Sequence, residues 1–282
     1  MDDHGAIFEK RYNNRAAVPD FAQHFDRWNK QSKQAREELD CDLDIAYGDH
    51  PMEKMDIFRA EGRSRALLMF IHGGYWRSLD KRDNSFLATE LVRHGVTVAM
   101  PNYALCPSVR IDEIVRQMLK ATAWLYRTAS RYGAPGNSLY VAGHSAGGHL
   151  ATMMLAAQWP RYAHDLPERV IEGGLTVSGV YDLTEIQQVP SLNAELQLDD
   201  ESALRLSPAF MTPPTNAPLH TAVGSAEIDG FQYQHKLLRE RWKSVIGADI
   251  ICPGDNHFGI LETFADPTSA LFRKSLSMMG LG

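Results

Sequence analysis

The feature that most restricts what this chain can become is a series of short apolar runs that stop on small residues and hand over to segments of helical period. "ALLMFIHGG" (Ala66–Gly74) is apolar at every position before its glycines break it, except for one histidine, the mark of a strand buried on both faces. "NSFLATELVRHG" then has helical period and ends in Gly95, a C-cap residue. "VTVAMPNY" reads as the next strand and "RIDEIVRQMLKATAWLYRTASRYG" as a long amphipathic helix closed by Gly133. "SLYVAGHS" is strand-like and "AGGHLATMMLAAQ" helical; "GGLTVSGVYD", "LHTAVGS" and "ADIICPGD" read as further strands, with "FQYQHKLLRERWKSVIG" helical between the last two. Strands alternating with helices of this length need crossovers, and crossovers of one hand give a mostly parallel central sheet flanked by helices, an α/β architecture.

Upstream, "DLDIAYG" and "EKMDIFRA" alternate apolar and polar around Asp49, His50 and Pro51, which predicts a hairpin. "VPDFAQHFDRWNKQSKQAREEL" carries Phe21, Phe25 and Trp28 at helical spacing among charged residues, either as a core-facing helix or as an apolar lid. The irregular, proline-rich stretch from Pro160 to Pro218 is assigned to insertions at the upper rim of the sheet. The expectation is one domain over 1–282, with a helical cap segment at 1–40 and a catalytic core at 41–282.

Charge and cysteine usage narrow the function. A net charge of −6 without a long basic run argues against nucleic acid, so the partner is a small neutral or weakly charged molecule whose charge one or two local residues can handle. Three widely spaced cysteines suit a reducing compartment, and "MDDHGAIFEKRYNNR" lacks a basic-then-apolar signal. No window of eighteen apolar residues is present. These features point to a cytoplasmic protein with no membrane contact, and a homodimer is compatible with them.

In such a sheet, sites form beyond the carboxyl ends of the strands. Four segments begin there: "IHGGYW", "GHSAGG", "GSAEID" and "PGDNHF". "GHSAG" (Gly143–Gly147) fits Gly-x-Ser-x-Gly between strand and helix, a turn that holds the Ser145 hydroxyl at a helix N-terminus. "HGGYW" (His72–Trp76) offers glycines whose backbone can approach a developing oxyanion, so the N–H groups of Gly74 and Tyr75, with that of Ala146, are the expected oxyanion hole. His257 follows the last strand, where a general base belongs, whereas His144 and His149 read as packing beside the turn. A carboxylate after "LHTAVG" must orient the imidazole. Glu227 and Asp229 both qualify; Asp229, opening the "GFQYQHKLL" helix, has the position of a cap, which favours Glu227. No metal-ligand spacing such as HExxH occurs.

Together these residues resemble the α/β-hydrolase superfamily, within it the hormone-sensitive-lipase-like esterases and the kynurenine formamidases. "HGGYW" is similar to the HGGxW of the formamidase branch, and "GHSAGGHLA" to the turn of both branches. "EIDGFQYQ" resembles a stretch in which an acid is followed by Phe and Gln, placing Glu227 on the acid, Phe231 on the Phe and Gln234 on the Gln. Animal and fungal formamidases carry Asp where Glu227 stands, which keeps Asp229 open as the alternative. "SGVYDL" (Ser178–Leu183) is also similar to a stretch of this branch, at the rim of the acyl pocket, and "RYNNRAAVPDF" to the helical leader of bacterial members. The resemblance implies a serine hydrolase that removes small acyl groups from esters or aryl N-formyl amides without a cofactor. The alternative is a hydrolase-fold protein that binds a ligand without turnover.

Overall fold

The computed structural model describes residues 3–136 and 138–282. Met1 and Asp2, the start of the expected 1–40 segment, lie outside it, as does Asn137. The strands are β1 (Cys41–Ala46), β2 (Lys54–Phe58), β3 (Ala66–Ile71), β4 (Val96–Pro101), β5 (Leu139–His144), β6 (Gly173–Val177), β7 (Leu219–Gly224) and β8 (Ile246–Cys252). They form one eight-stranded sheet in the order β1-β2-β4-β3-β5-β6-β7-β8. β3 to β8 run parallel, and the β1–β2 hairpin joins β4 antiparallel.

β3 shows why the sheet sits in the middle of the molecule. Leu67, Met69 and Ile71 enter the apolar cluster on one face, and Ala66, Leu68 and Phe70 the cluster on the other, as the two-residue period of a strand requires. Each large side chain buried this way contributes roughly 1.5–3 kcal/mol. The first face is covered by the helix Ile111–Thr128 through Ile114, Met118, Ala121 and Leu125, a single stripe at helical spacing, and by Ala146–Ala156. The helices Phe21–Glu38, Ala88–Arg93 and Ala270–Met278 cover the second. Among the described residues no helix is long and apolar enough to cross a membrane.

Three local expectations change. The stretch 84–95 is not one helix but a 3-10 segment, Lys81–Leu87, followed by the α-helix Ala88–Arg93. Asp80 and Asp83 cap each other's backbone, starting the segment early, and Ser32 pins its middle by donating to the Asp83 carbonyl and accepting from Phe86 N–H. β6 stops at Val177, because Ser178 turns to φ 50°. The last helix of the crossover runs Asp229–Arg241, and Ile246 and Gly247 are taken into β8 by its pairing with β7.

From β3 the chain moves to β4 on one side, and β5 returns to the other side of β3. The loops leaving β3 and β5 therefore diverge, opening a crevice above their carboxyl ends.

Candidate active site

Ser145 is the single residue between β5 and the helix Ala146–Ala156, with φ 56° and ψ −119°. That strained backbone costs on the order of 1–3 kcal/mol and persists only when its surroundings fix it. Here the fixing is close packing. A Cβ on Gly143 would lie 2.1 Å from the Gly147 carbonyl oxygen, and one on Gly147 would lie 2.0 Å from that of Ile71. The Ser145 N–H donates to Val177 O at 2.9 Å, tying the turn to β6.

The loop after β3 holds a run of left-handed residues: Gly74 at φ 100°, Tyr75 at 49° and Trp76 at 56°. Its anchors are buried or half-buried. The Tyr103 hydroxyl, from a ring stacked on His72 at 4.2 Å, donates to His72 O and Gly73 O at 2.9 and 3.2 Å. Trp76 Nε1 donates to His149 Nδ1 at 3.3 Å, and the Tyr75 hydroxyl donates to Tyr12 O at 2.8 Å. Among the described residues the backbone N–H groups of Gly74, Tyr75 and Ala146 have no acceptor, so all three are free for a ligand.

His257 and Glu227 meet at the carboxyl ends of β8 and β7. His257 Nδ1 lies 2.7 Å from Glu227 Oε2, and both side chains are almost fully buried. A carboxylate only accepts, so Nδ1 carries a hydrogen, and in the neutral ring Nε2 is then the acceptor. Glu227 Oε1 accepts from the Gly224 N–H at 2.8 Å and from the Ser178 hydroxyl. Phe231 packs its ring 4.2 Å from the imidazole, and His144 Nε2 donates to the His257 carbonyl at 2.9 Å. Ser145 and His257 line one pocket of about 370 Å³. The Ser145 hydroxyl makes no hydrogen bond among the described residues; in ligand-free sites such bonds are commonly long and tighten on binding.

Asp229 stands apart. Its side chain is 80% exposed and 3.2 Å from Arg11, and it makes no cap: Ile228 holds the N-cap position. The expectation of a helix cap is therefore corrected, and the carboxylate that lies beside His257 is that of Glu227. "SGVYDL" is corrected too, since none of Ser178–Leu183 lines the pocket. Ser178 instead lies beneath Glu227, at the end of β6, and its strand-end position is the signal that would have found it. Gln234 is buried and saturated, accepting from Tyr181 and Asp182 N–H groups and donating to Tyr12 Oη and Asp182 O. The region 160–218 supplies a wall through Val189, Ser191, Leu192 and Glu195, and Arg77 bonds Glu195 at 2.5 Å. Phe25 and Trp28 line the pocket and also pack on Phe258, so their helix is both core and cover.

His144 is more than local packing, because it holds the backbone of His257; His149 is a structural strut. His149 accepts from Trp76 and donates Nε2–H to Leu206 O at 2.8 Å, which fixes a neutral ring. Burial pushes its pKa down to about 4, and that of His144 well below the usual imidazole range. Between about pH 6.5 and 4 the unfolded chain binds a proton at His149 that the folded chain refuses, so stability falls as pH falls through this window. The expected loss is about 3 kcal/mol, at about 1.4 kcal/mol per pH unit, with His144 adding in the same direction. Urea unfolding near pH 7 and near pH 4.5 measures it; equal midpoints would contradict a neutral strut.

The BD-FAE family model matches residues 55–207. A kynurenine formamidase of Salmo salar is 32% identical over 248 residues, 84% of this chain and 82% of that protein. One of Danio rerio is 30% identical over 281 residues, 96% of this chain and 93% of that protein. A sheet in this strand order with a serine at the turn after its fifth strand defines an α/β-hydrolase. Among solved structures, a candidate thioesterase from Silicibacter sp. shares that fold at a TM-score of 0.83 and 34% identity, over 94% of this chain and 97% of that one. The chain belongs to the kynurenine formamidase and esterase branch of the superfamily, and it is a hydrolase.

Proposed function

We propose that the protein hydrolyses short-chain esters and aryl N-formyl amides through an acyl-enzyme formed at Ser145. The observation that carries this is the buried His257–Glu227 pair, which leaves Nε2 bare in the same pocket as the Ser145 hydroxyl. In the first step Ser145 Oγ attacks the carbonyl carbon as His257 Nε2 takes its proton. The carbonyl oxygen becomes an oxyanion held by the N–H groups of Gly74, Tyr75 and Ala146, and the helix N-terminus at Ala146 favours the same charge. His257 then protonates the departing alcohol or amine. Water, deprotonated by His257, attacks the acyl-enzyme and releases the acid, restoring Ser145. Glu227 keeps Nδ1 protonated throughout and stabilises the imidazolium. Three free cysteines suit a reducing cytoplasm as its compartment.

The named relatives favour an aryl formamide such as N-formylkynurenine as substrate. A pocket of about 370 Å³ is at the small end for ligand sites. Phenyl acetate is therefore expected to be turned over at least about tenfold faster than phenyl octanoate, and N-formylkynurenine at a kcat/KM at least equal to that of phenyl acetate. Comparable rates on acetyl and octanoyl esters would refute the small acyl site. A covalent fluorophosphonate adduct on Ser145 tests the nucleophile, and its absence would favour ligand binding without turnover.

A further inference from the structure

The three N–H groups assigned to the oxyanion belong to three peptide units, and a trans peptide unit points its carbonyl and its N–H in opposite directions. Whatever holds each carbonyl therefore sets where the N–H at the other end aims. In the unit Gly73–Gly74, the Gly73 carbonyl accepts from His72 Nδ1 at 2.9 Å. It also shares the Tyr103 hydroxyl, at 3.2 Å, with His72 O at 2.9 Å. In the unit Gly74–Tyr75, the Gly74 carbonyl accepts from the Arg77 and Ser78 N–H groups, each at 3.1 Å, and from the Ser78 hydroxyl at 3.0 Å. In the unit Ser145–Ala146, Ser145 O accepts the His149 N–H at 3.2 Å, the first bond of the helix.

Each carbonyl is thus bonded from behind, and each N–H in front is unpaired among the described residues. A hydrogen bond to the carbonyl fixes the plane of the unit. It also polarises the unit, strengthening the bond its N–H can donate by about 10–30%. The loop lies directly against the nucleophile: a Cβ on Gly73 would stand 3.1 Å from the Ser145 Cβ. Tyr75 and Trp76 hold a left-handed backbone, which persists only where the surroundings fix it. Two of the anchors are side-chain hydroxyls that the mechanism does not use. Tyr103 is fully buried, stacked on His72, and is not part of the pocket wall. Ser78 stands in that wall, half-buried.

We propose that Tyr103 and Ser78 are positioning residues for the oxyanion, acting through the carbonyls of Gly73 and Gly74 to aim and polarise the N–H groups of Gly74 and Tyr75. The inference rests on the hydrolase reading above and deepens it by naming what holds the oxyanion donors in place before substrate arrives. Loss of either hydroxyl leaves its carbonyl with the remaining donors, so the peptide unit loosens without turning over. The cost is therefore below the roughly hundredfold to thousandfold of removing an oxyanion donor outright.

The test is Tyr103→Phe, which keeps the stacked ring and removes the hydroxyl, with Ser78→Ala as the second variant. Initial rates on phenyl acetate are compared with inhibition by 2,2,2-trifluoroacetophenone. Ser145 Oγ adds to the ketone carbonyl, its proton passes to His257 Nε2, and the carbonyl electron pair becomes an oxyanion in the same hole. In each variant kcat is expected to fall about tenfold with KM within about twofold, and the Ki of the ketone to rise by the same factor. A hydroxyl that serves packing alone predicts a lower urea midpoint with native kcat and Ki in the folded protein, and that result overturns the proposal. So does a rise in KM with kcat unchanged, or a fall in kcat that the ketone's Ki does not follow. Should Tyr103→Phe fail to fold, Ser78→Ala decides, because it carries the same expectation through the next peptide unit. A native protein that neither hydrolyses phenyl acetate nor takes a fluorophosphonate at Ser145 would instead sink the hydrolase reading, and this inference with it.

Discussion

Ser145→Ala is expected to lower kcat on phenyl acetate by about a million-fold, leaving the residual catalysis that bound substrate and oxyanion donors provide without a nucleophile. The side chain contributes no hydrogen bond to the fold among the described residues, and alanine tolerates the strained φ no worse than serine. The urea midpoint should therefore stay within error of the native protein, which separates lost chemistry from lost structure. Initial rates on phenyl acetate, with intact mass after fluorophosphonate treatment, give the answer. Hydrolysis within tenfold of the native rate would end the assignment of Ser145.

Glu227→Gln is expected to cost about ten-thousand-fold in kcat with little change in KM. Three donors converge on this carboxylate: the Ser178 hydroxyl, the Gly224 N–H and His257 Nδ1–H. A carboxamide has one acceptor oxygen and an NH₂ that must face one of those donors. The relief available is to move the imidazole hydrogen to Nε2, the atom that must be bare to take the Ser145 proton. Glu227→Asp keeps the charge and shortens the arm, so it should lose far less, about tenfold to a hundredfold. If glutamine is tolerated as well as aspartate, the carboxylate is not the orienting group.

The strands were legible because β3 to β7 are so apolar that only a two-faced burial explains them, and the strand-end rule led to Ser145, His257 and Glu227. Glu227 could be preferred over Asp229 from position, but the deciding facts, a bond to His257 and an exposed side chain held by Arg11, are tertiary. Ser178 was placed at the pocket rim because a short motif says where a residue sits along the chain, not which face its side chain takes after a left-handed turn. The region 160–218 has no strong period, since its helices Leu183–Gln187, Pro190–Leu196 and Asp200–Arg205 are too short to show one. Asn84 is invisible in sequence for a different reason: an asparagine in a polar turn is ordinary until it is buried without a hydrogen-bond partner among the described residues.

The hydrogen bond from Gln234 to the Tyr12 hydroxyl joins residues 222 positions apart. A ribosome adding about 5–20 residues per second needs roughly 10–45 s to travel between them. Until then the helix ending at Tyr12 lacks the helix Asp229–Arg241 against which it packs, and Ser145, made meanwhile, still awaits His257. On the proposed mechanism, a fragment released before β8 and His257 are made lacks the base and is expected to hydrolyse neither esters nor formamides.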